Sequence, residues 1–356
     1  MSAFPTRPEP FRIEPIFSPR IWGARSLAPL FPEKTNLTEP LGEAWLTGVD
    51  CRIATGPFTG QTLGQAWKEM TVGWRGAKLQ EEAEFPLLLK FIFPTDKLSI
   101  QVHPDDAYAA AHEAAAGGRG KTEMWYVVSA QPGARLLAGL KAGVTKQMLL
   151  AALASRSLED LFQSHEVHSG DTFFLPAGMP HTIGPGMVIF EVQEYSDLTY
   201  RLYDYNRRDA NGKPRELHIE KALDVINFNS EANPKVVTRE LLIRNKKFGE
   251  GLVDCPYFSA WKFEVDERKH MTEHRPSDRF NLWVVLEGEG TITWSSAHHG
   301  MFGASYSGQF VYKPGECWFV PAEFASRGYY PKNKTSLIIA APRSPSEELE
   351  KNSDAY

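Results

Sequence analysis

Two stretches of this chain repeat one another in the same order, and that repeat constrains the fold more than any single element. EMWYVVSAQPGARL, from Glu123, is echoed by NLWVVLEGEGTITW, from Asn281, which sets Trp125 against Trp283. Downstream, GDTFFLPAGMPH from Gly170 is echoed by GECWFVPAEFAS from Gly315. Two paired segments at matching order imply two copies of one domain. The runs are short, rich in β-branched and aromatic residues, and bounded by Gly, Pro or Asp; FPLLLKFIF, SIQVH, TFFLP, MVIFEVQ and SLIIAA are further examples. With 25 prolines and 28 glycines spread through 356 residues, the pattern predicts a mainly β chain of two β-domains. The polar stretch FNSEANPKVV supplies the boundary, giving expected domains of 1–235 and 236–356.

A few segments read as helices inserted in the N-terminal half. TLGQAWKEMTV follows a Thr62 cap, and DAYAAAHEAAA lies between Asp105, a good N-cap, and Gly117, a good terminator. VTKQMLLAALASRSLEDLF reads as two helices broken near Ser155–Ser157, and ELHIEKALDVINF has apolar residues near helical spacing.

Composition excludes several classes. The net charge of -5 gives no general attraction to nucleic acid or to an anionic membrane. No apolar run reaches the roughly 18 residues of a membrane span; the longest, FPLLLKFIFP, is interrupted by Lys90. Cys51, Cys255 and Cys317 form no CxxC pair, which argues for free buried thiols and against a thiolate metal site. The start of the chain lacks the apolar core of a signal peptide. The expectation is a cytoplasmic protein without nucleic-acid or membrane partners; the sequence leaves the oligomeric state open.

Chemistry enters with one pattern, G-x5-P-x-G-x2-H, running from Gly170 through Pro176 and Gly178 to His181. It resembles the second motif of the cupin superfamily, with Pro185 standing where those proteins usually carry Asn. The first cupin motif, H-x-H-x4-E, has a counterpart in Gln101-x-His103, with Glu123 displaced downstream by a helical insertion. The resemblance implies two jelly-roll domains and a four-ligand set: Gln101, His103, Glu123 and His181. In a strand, residues two apart share a face, so Gln101 and His103 project together. Two imidazoles with oxygen donors suit one Zn2+, or another divalent ion, per chain. His112, His165 and His168 match no ligand slot and read as surface residues. In the second copy, His274, Asn281, Glu323 and Ser326 stand in the motif positions, so the C-terminal domain is expected to keep the fold and lack the metal.

More of the chain resembles the type I mannose-6-phosphate isomerases, in their shorter bacterial form. The matching stretches are FPLLLKFIFPTDKLSIQVHPDD, GKTEMWYVV, GDTFFLPAGMPHTIG, EVQEYSDLTYRLYDYNR and PRELHIEKALDVI, with weaker matches at RIWGARSL and GEAWLTG. The clear likeness covers roughly residues 14 to 230. It implies a metal-dependent aldose–ketose isomerase that interconverts mannose 6-phosphate and fructose 6-phosphate through an enediol or enediolate. It also implies roles. Arg201 matches the family's active-site arginine and is expected to stabilise charge or orient substrate, since a guanidinium does not act as a base. Lys121 is expected near the metal, with its pKa lowered enough for substrate contact or proton transfer. Ser99 resembles the family's phosphate-contacting serine, and Lys97 shares its strand parity. Glu43, Trp45, Asp197, Tyr200 and Asp204 read as supporting residues. The alternatives are a non-catalytic sugar-binding double cupin and an iron dioxygenase; Gln101 in the ligand set argues against the latter, and the full ligand set with Arg201 against the former.

Overall fold

The computed structural model describes residues 7–208, 212–229, 233–243, 246–265, 271–273, 278–296 and 307–343. The chain is mainly β, and the described residues form four antiparallel sheets with helices inserted in the first half. In spatial order, the first half has a six-stranded sheet of Ile16–Ala24, Leu41–Trp45, Leu87–Ile92, Met187–Glu194, Glu123–Ala130 and Thr172–Leu175. Its partner is a five-stranded sheet of Tyr200–Tyr203, Ile100–Val102, His181–Ile183, Arg135–Leu140 and Phe162–Glu166.

The second half repeats this order strand for strand. Arg239–Ile243, Lys246–Asp254, Phe258–Val265, Thr335–Pro342, Asn281–Glu287 and Cys317–Val320 follow one another as the first six do. Met271–Glu273, Phe324–Pro331, Gly290–Ser296 and Ser307–Tyr312 repeat four strands of the smaller sheet. The register carries the sequence repeat directly: Trp125 pairs with Phe173, and Trp283 with Trp318. Gly170 and Gly315 both take positive φ at the turn before the final strand of each set, where a side chain would be strained. One strand crosses between the halves. Phe11–Ile13 adds to the C-terminal sheet beside Cys317–Val320, so a division at residue 235 does not follow sheet membership there.

The two large sheets face one another. Leu89, Phe91, Met124, Tyr126, Phe190 and Val192 share a buried cluster with Phe258, Leu282, Val284, Phe319 and Ile338. Phe319 stacks between Phe11 and Phe280, ring centroids 4.7 Å away on both sides. Each such buried aromatic contributes about 2–3 kcal/mol of hydrophobic stabilisation. A second cluster, with Ile92, Trp125, Val127, Leu136, Phe173 and Ile189, fills the inside of the first half. A third lies between the small sheet and the helices. The chain thus runs in layers, from helices to small sheet, large sheet, large sheet and small sheet.

The inserted helices begin where their caps predict. Thr62 starts Leu63–Glu69 with a full capping box through Gln65, and the Asp105 side chain accepts from Tyr108 N at the head of Asp106–His112. Lys146–Ser155 ends before a short 3-10 turn at Leu158–Leu161, and Ile219–Val225 packs on the small sheet through Ala222 and Leu223. Among the described residues no helix is long and apolar enough to cross a membrane. Cys51, Cys255 and Cys317 are free and buried. His274 lies outside the described residues.

Candidate active site

Period two decides what enters the first half's interior. On the strand Glu123–Ala130, Met124 and Tyr126 face the inter-sheet core, while Glu123, Trp125 and Val127 face inward. On Ile100–Val102, Ile100 and Val102 pack toward the helices, which turns Gln101 inward. His181 pairs with Gln101 in register on one side, and Arg201 on the other. The His181 loop is pinned by Gly178, whose N–H donates to His103 O at 2.8 Å.

His103, Glu123 and His181 converge, with one ligand atom from each lying within 4.8 Å of the others. All three are buried, Glu123 completely. His181 Nε2 is 3.2 Å from Glu123 Oε1, and His103 Nε2 is 3.7 Å from Glu123 Oε2. Each imidazole is oriented from behind: His103 Nδ1–H donates to Leu198 O at 2.7 Å and His181 Nδ1–H to Met179 O at 2.9 Å. That leaves both Nε2 lone pairs aimed at the carboxylate. Burial, and then the charge of Lys121, drives His103 well below the usual histidine range; burial pushes His181 down to about 4 despite the Met179 hydrogen bond. Both rings are therefore neutral near pH 7, the form that binds metal.

Whether a cation fits can be judged from Glu123. Its two oxygens are buried and neither accepts a well-aligned hydrogen bond, although Lys121 Nζ forms an ion pair at 2.9 Å. One ammonium leaves most of the acceptor capacity of a fully buried carboxylate unused, and a divalent ion shared with two neutral imidazoles would use it. The donor set fits a divalent metal. Gln101 presents Nε2 to His181 Nε2 at 3.4 Å, while its Oε1 accepts from Ser99 Oγ at 3.2 Å. Exchanging the two amide atoms keeps the side-chain shape and presents the oxygen to the centre.

Beside the donors lies a cavity of about 210 Å³. Of the residues expected to act, Ser99, Gln101, Lys121 and Arg201 line it. Lys97 does not. Its Nζ pairs with both oxygens of Glu159, at 2.7 and 2.9 Å, and sits over the Tyr205 ring. The strand begins only at Ile100, so parity does not place Lys97; Ser99, also ahead of the strand, is tied to Gln101 by its hydroxyl's hydrogen bond to Oε1 at 3.2 Å.

The expected lowering at Lys121 is also not what the protein groups produce. Burial opposes the ammonium, but Glu123, Glu191 and Asp197 outweigh it and hold the group above the ordinary lysine range. Arg201 is lowered, first by burial and then by the charge of Arg215. Its Nη1 donates to Glu216 O at 2.9 Å, and its buried Nε has no acceptor.

Sequence reasoning missed Lys90 and Glu191, which line the same cavity and are both buried. They are register partners, and Trp125 Nε1 donates to Glu191 at 2.9 Å. The available signal was a single charge inside each of two otherwise apolar runs, LLLKFI and MVIFEV. Arg20 and Glu43 were likewise passed over as a pair; Arg20 donates to Glu43 at 2.7 Å, and Trp45 Nε1 donates to the same oxygen at 2.9 Å. Asp197 faces Lys90 at 3.5 Å, whereas Tyr200 hydrogen-bonds Glu113 on the helical side.

Residues 11–127 match the profile described as phosphomannose isomerase type I, catalytic domain. Mannose-6-phosphate isomerase ManA of Bacillus subtilis is 34% identical over 331 residues, which is 90% of this chain and 96% of that protein. A mannose-6-phosphate isomerase of Streptococcus mutans is 35% identical over 290 residues, 80% of this chain and 87% of the relative. Among solved structures, the mannose 6-phosphate isomerase from Bacillus subtilis superposes with a TM-score of 0.80 at 28% identity, covering 93% of this chain and 99% of that one. A zinc-bound mannose 6-phosphate isomerase shares the fold, with a TM-score of 0.67 at 16% identity over 94% and 99%. Likeness that runs nearly end to end, around a buried His–Glu–His centre, makes this chain a member of the type I phosphomannose isomerase family.

Proposed function

We propose that the chain interconverts mannose 6-phosphate and fructose 6-phosphate, using one zinc ion held by Gln101, His103, Glu123 and His181. The observation that carries this reading is the convergence of Glu123, a fully buried carboxylate with Lys121 Nζ at 2.9 Å on one oxygen, with the Nε2 atoms of two neutral imidazoles. A bound zinc supplies the Lewis acidity that polarises the sugar's carbonyl and hydroxyl oxygens. Zinc rather than another divalent ion is supported by the donor set and by the fold relative solved with it.

The side chains then divide the remaining work. Lys121, kept charged by its acidic neighbours, donates a hydrogen bond to a substrate oxygen at C1 or C2 as the proton moves between those carbons. Arg201 orients the substrate from the neighbouring strand as a fixed cation. Ser99 offers its hydroxyl on the same wall and contacts the phosphate. Lys97, bound to Glu159, has no part in this arrangement.

The unit 1–235 carries the chemistry, and 236–356 is its copy without a metal. Asn281 opens the strand that corresponds to the one Glu123 opens, and an amide there offers no charge to a cation. Buried free thiols suit a reducing compartment, and we place the protein in the cytoplasm.

The test compares mannose 6-phosphate, glucose 6-phosphate and free mannose with the zinc-reconstituted protein. Turnover of mannose 6-phosphate alone is expected. Undiminished turnover after chelation, or equal use of free mannose, would overturn the reading.

A further inference from the structure

We propose that Arg215 is a phosphate-binding residue that closes on the substrate's phosphate together with Arg201 and Ser99. The inference rests on the cavity being a phosphosugar site, and it adds a specificity determinant from a different segment of the chain. Arg215 belongs to the stretch PRELH, downstream of the strand Tyr200–Tyr203. Two hydrogen bonds bring that stretch alongside: His218 N donates to Arg201 O at 2.8 Å, and Arg201 N donates to the His218 ring at Nδ1 at 3.2 Å. Arg215, Arg201 and Ser99 consequently line one cavity.

Arg215 is held ready by a buried carboxylate. Its Nε donates to Asp204 Oδ2 at 2.7 Å and its Nη2 to Oδ1. Arg207 Nη2 shares that Oδ1 at 2.7 Å, while Arg207 Nη1 turns back to Lys97 O and Asp96. A guanidinium has five N–H donors in a rigid fork. Two of Arg215's serve Asp204, which leaves three, including the whole Nη1 edge, without a protein acceptor among the described residues. Arg201 adds the buried Nε that has no acceptor.

Charge points the same way. The acids that line the cavity are taken elsewhere: Glu43 by Arg20, and Glu191 and Asp197 by Lys90. Glu216, whose carbonyl accepts from Arg201, carries a side chain that is 83% exposed. Arg201 has no carboxylate in ion-pair reach among the described residues, and Arg215 and Arg207 share the single buried Asp204. This end of the cavity has more fixed cations than anions and spare fork-shaped donors, which is the chemistry that recognises a tetrahedral dianion.

The experiment uses the full-length zinc-loaded protein and its Arg215→Gln and Arg215→Lys variants. It measures steady-state kinetics on mannose 6-phosphate and competitive inhibition by orthophosphate. Arg215→Gln is expected to raise KM for mannose 6-phosphate about 10- to 100-fold, more than it lowers kcat, and to weaken orthophosphate by a similar factor. Arg215→Lys keeps the charge and the pairing with Asp204 but loses the fork, so both constants should fall between wild type and Arg215→Gln. Zinc content and melting temperature, measured alongside, identify a merely structural loss. KM and orthophosphate inhibition unchanged in both variants, or a fall in kcat alone, would overturn the assignment while the isomerase reading stands. A wild-type protein that does not turn over mannose 6-phosphate would overturn both.

Discussion

Lys90 and Glu191 face one another on neighbouring strands, with Nζ 3.8 Å from Oε2 and both side chains buried. Glu191 is raised by burial and then by the nearby charge of Glu123, and lowered by Lys121 and Lys90. Removing the lysine leaves that carboxylate with less compensation. Lys90→Met should therefore lower stability by about 3 kcal/mol. The loss should be larger at pH 8 than at pH 5, because protonation relieves an under-compensated Glu191. The double variant Lys90→Met/Glu191→Gln should recover most of it. Urea unfolding at the two pH values measures all three; equal losses in the single and double variants would show that the pair is not what matters.

Gly178 ties the sequence motif to the metal centre. Its φ is +83°, and an added Cβ would meet Val225 O at 2.8 Å. Its N–H also donates to His103 O. Gly178→Ala should cost about 2 kcal/mol through backbone strain. Because the strain is applied between the His103 and His181 segments, the variant should also release zinc faster to a chelator. Wild-type release kinetics in a destabilised variant would uncouple the loop from the site.

Those residues also show how far the sequence could be read. Gly178 and His181 were legible because a fixed-spacing turn motif leaves little freedom in where its histidine points. Thr62 and Asp105 were legible because a side chain that satisfies orphan N–H groups marks a helix start locally. Lys90 and Glu191 were not, since every residue of Leu87–Ile92 is buried and a strand covered on both faces loses its alternation. Lys97 is a related case: it lies ahead of Ile100, where the strand begins, and its ammonium is taken by Glu159, a partner more than sixty positions away with no local signature. The strand Phe11–Ile13 pairs with residues more than three hundred positions away, a contact with no local signature.

Metal removal separates a site from a cluster of buried charges. Glu123→Gln keeps the shape of the side chain and removes its charge. Zinc added to wild-type protein stripped by chelation should raise the melting temperature, since a ligand that binds only the folded state stabilises it. The same addition should leave Glu123→Gln unmoved, with turnover about a thousandfold lower. Elemental analysis after dialysis gives the bound metal directly. A variant that retains one zinc per chain would remove Glu123 from the ligand set.

Glu194 carries a pH dependence that lies apart from those ligands. It follows Gln193, which pairs with Glu123, and its carboxylate accepts from Thr122 N at 2.6 Å. Burial, with the nearby Asp106 adding to it, pushes Glu194 up to about 8, against the Thr122 hydrogen bond. A carboxyl whose pKa is higher in the folded than in the unfolded protein binds its proton more tightly when folded. Its contribution is fully present below pH 4.5 and is lost progressively as pH rises from 4.5 toward 8. The loss across that window is roughly 4 kcal/mol. Glu194→Gln keeps the acceptor for Thr122 and has no proton to lose. The variant should match wild type in denaturant stability at pH 4 and exceed it by a growing margin toward pH 8. Parallel stability profiles across that range would mean that Glu194 is ionised at no cost and that its surroundings are wetter than the packing around Thr122 indicates.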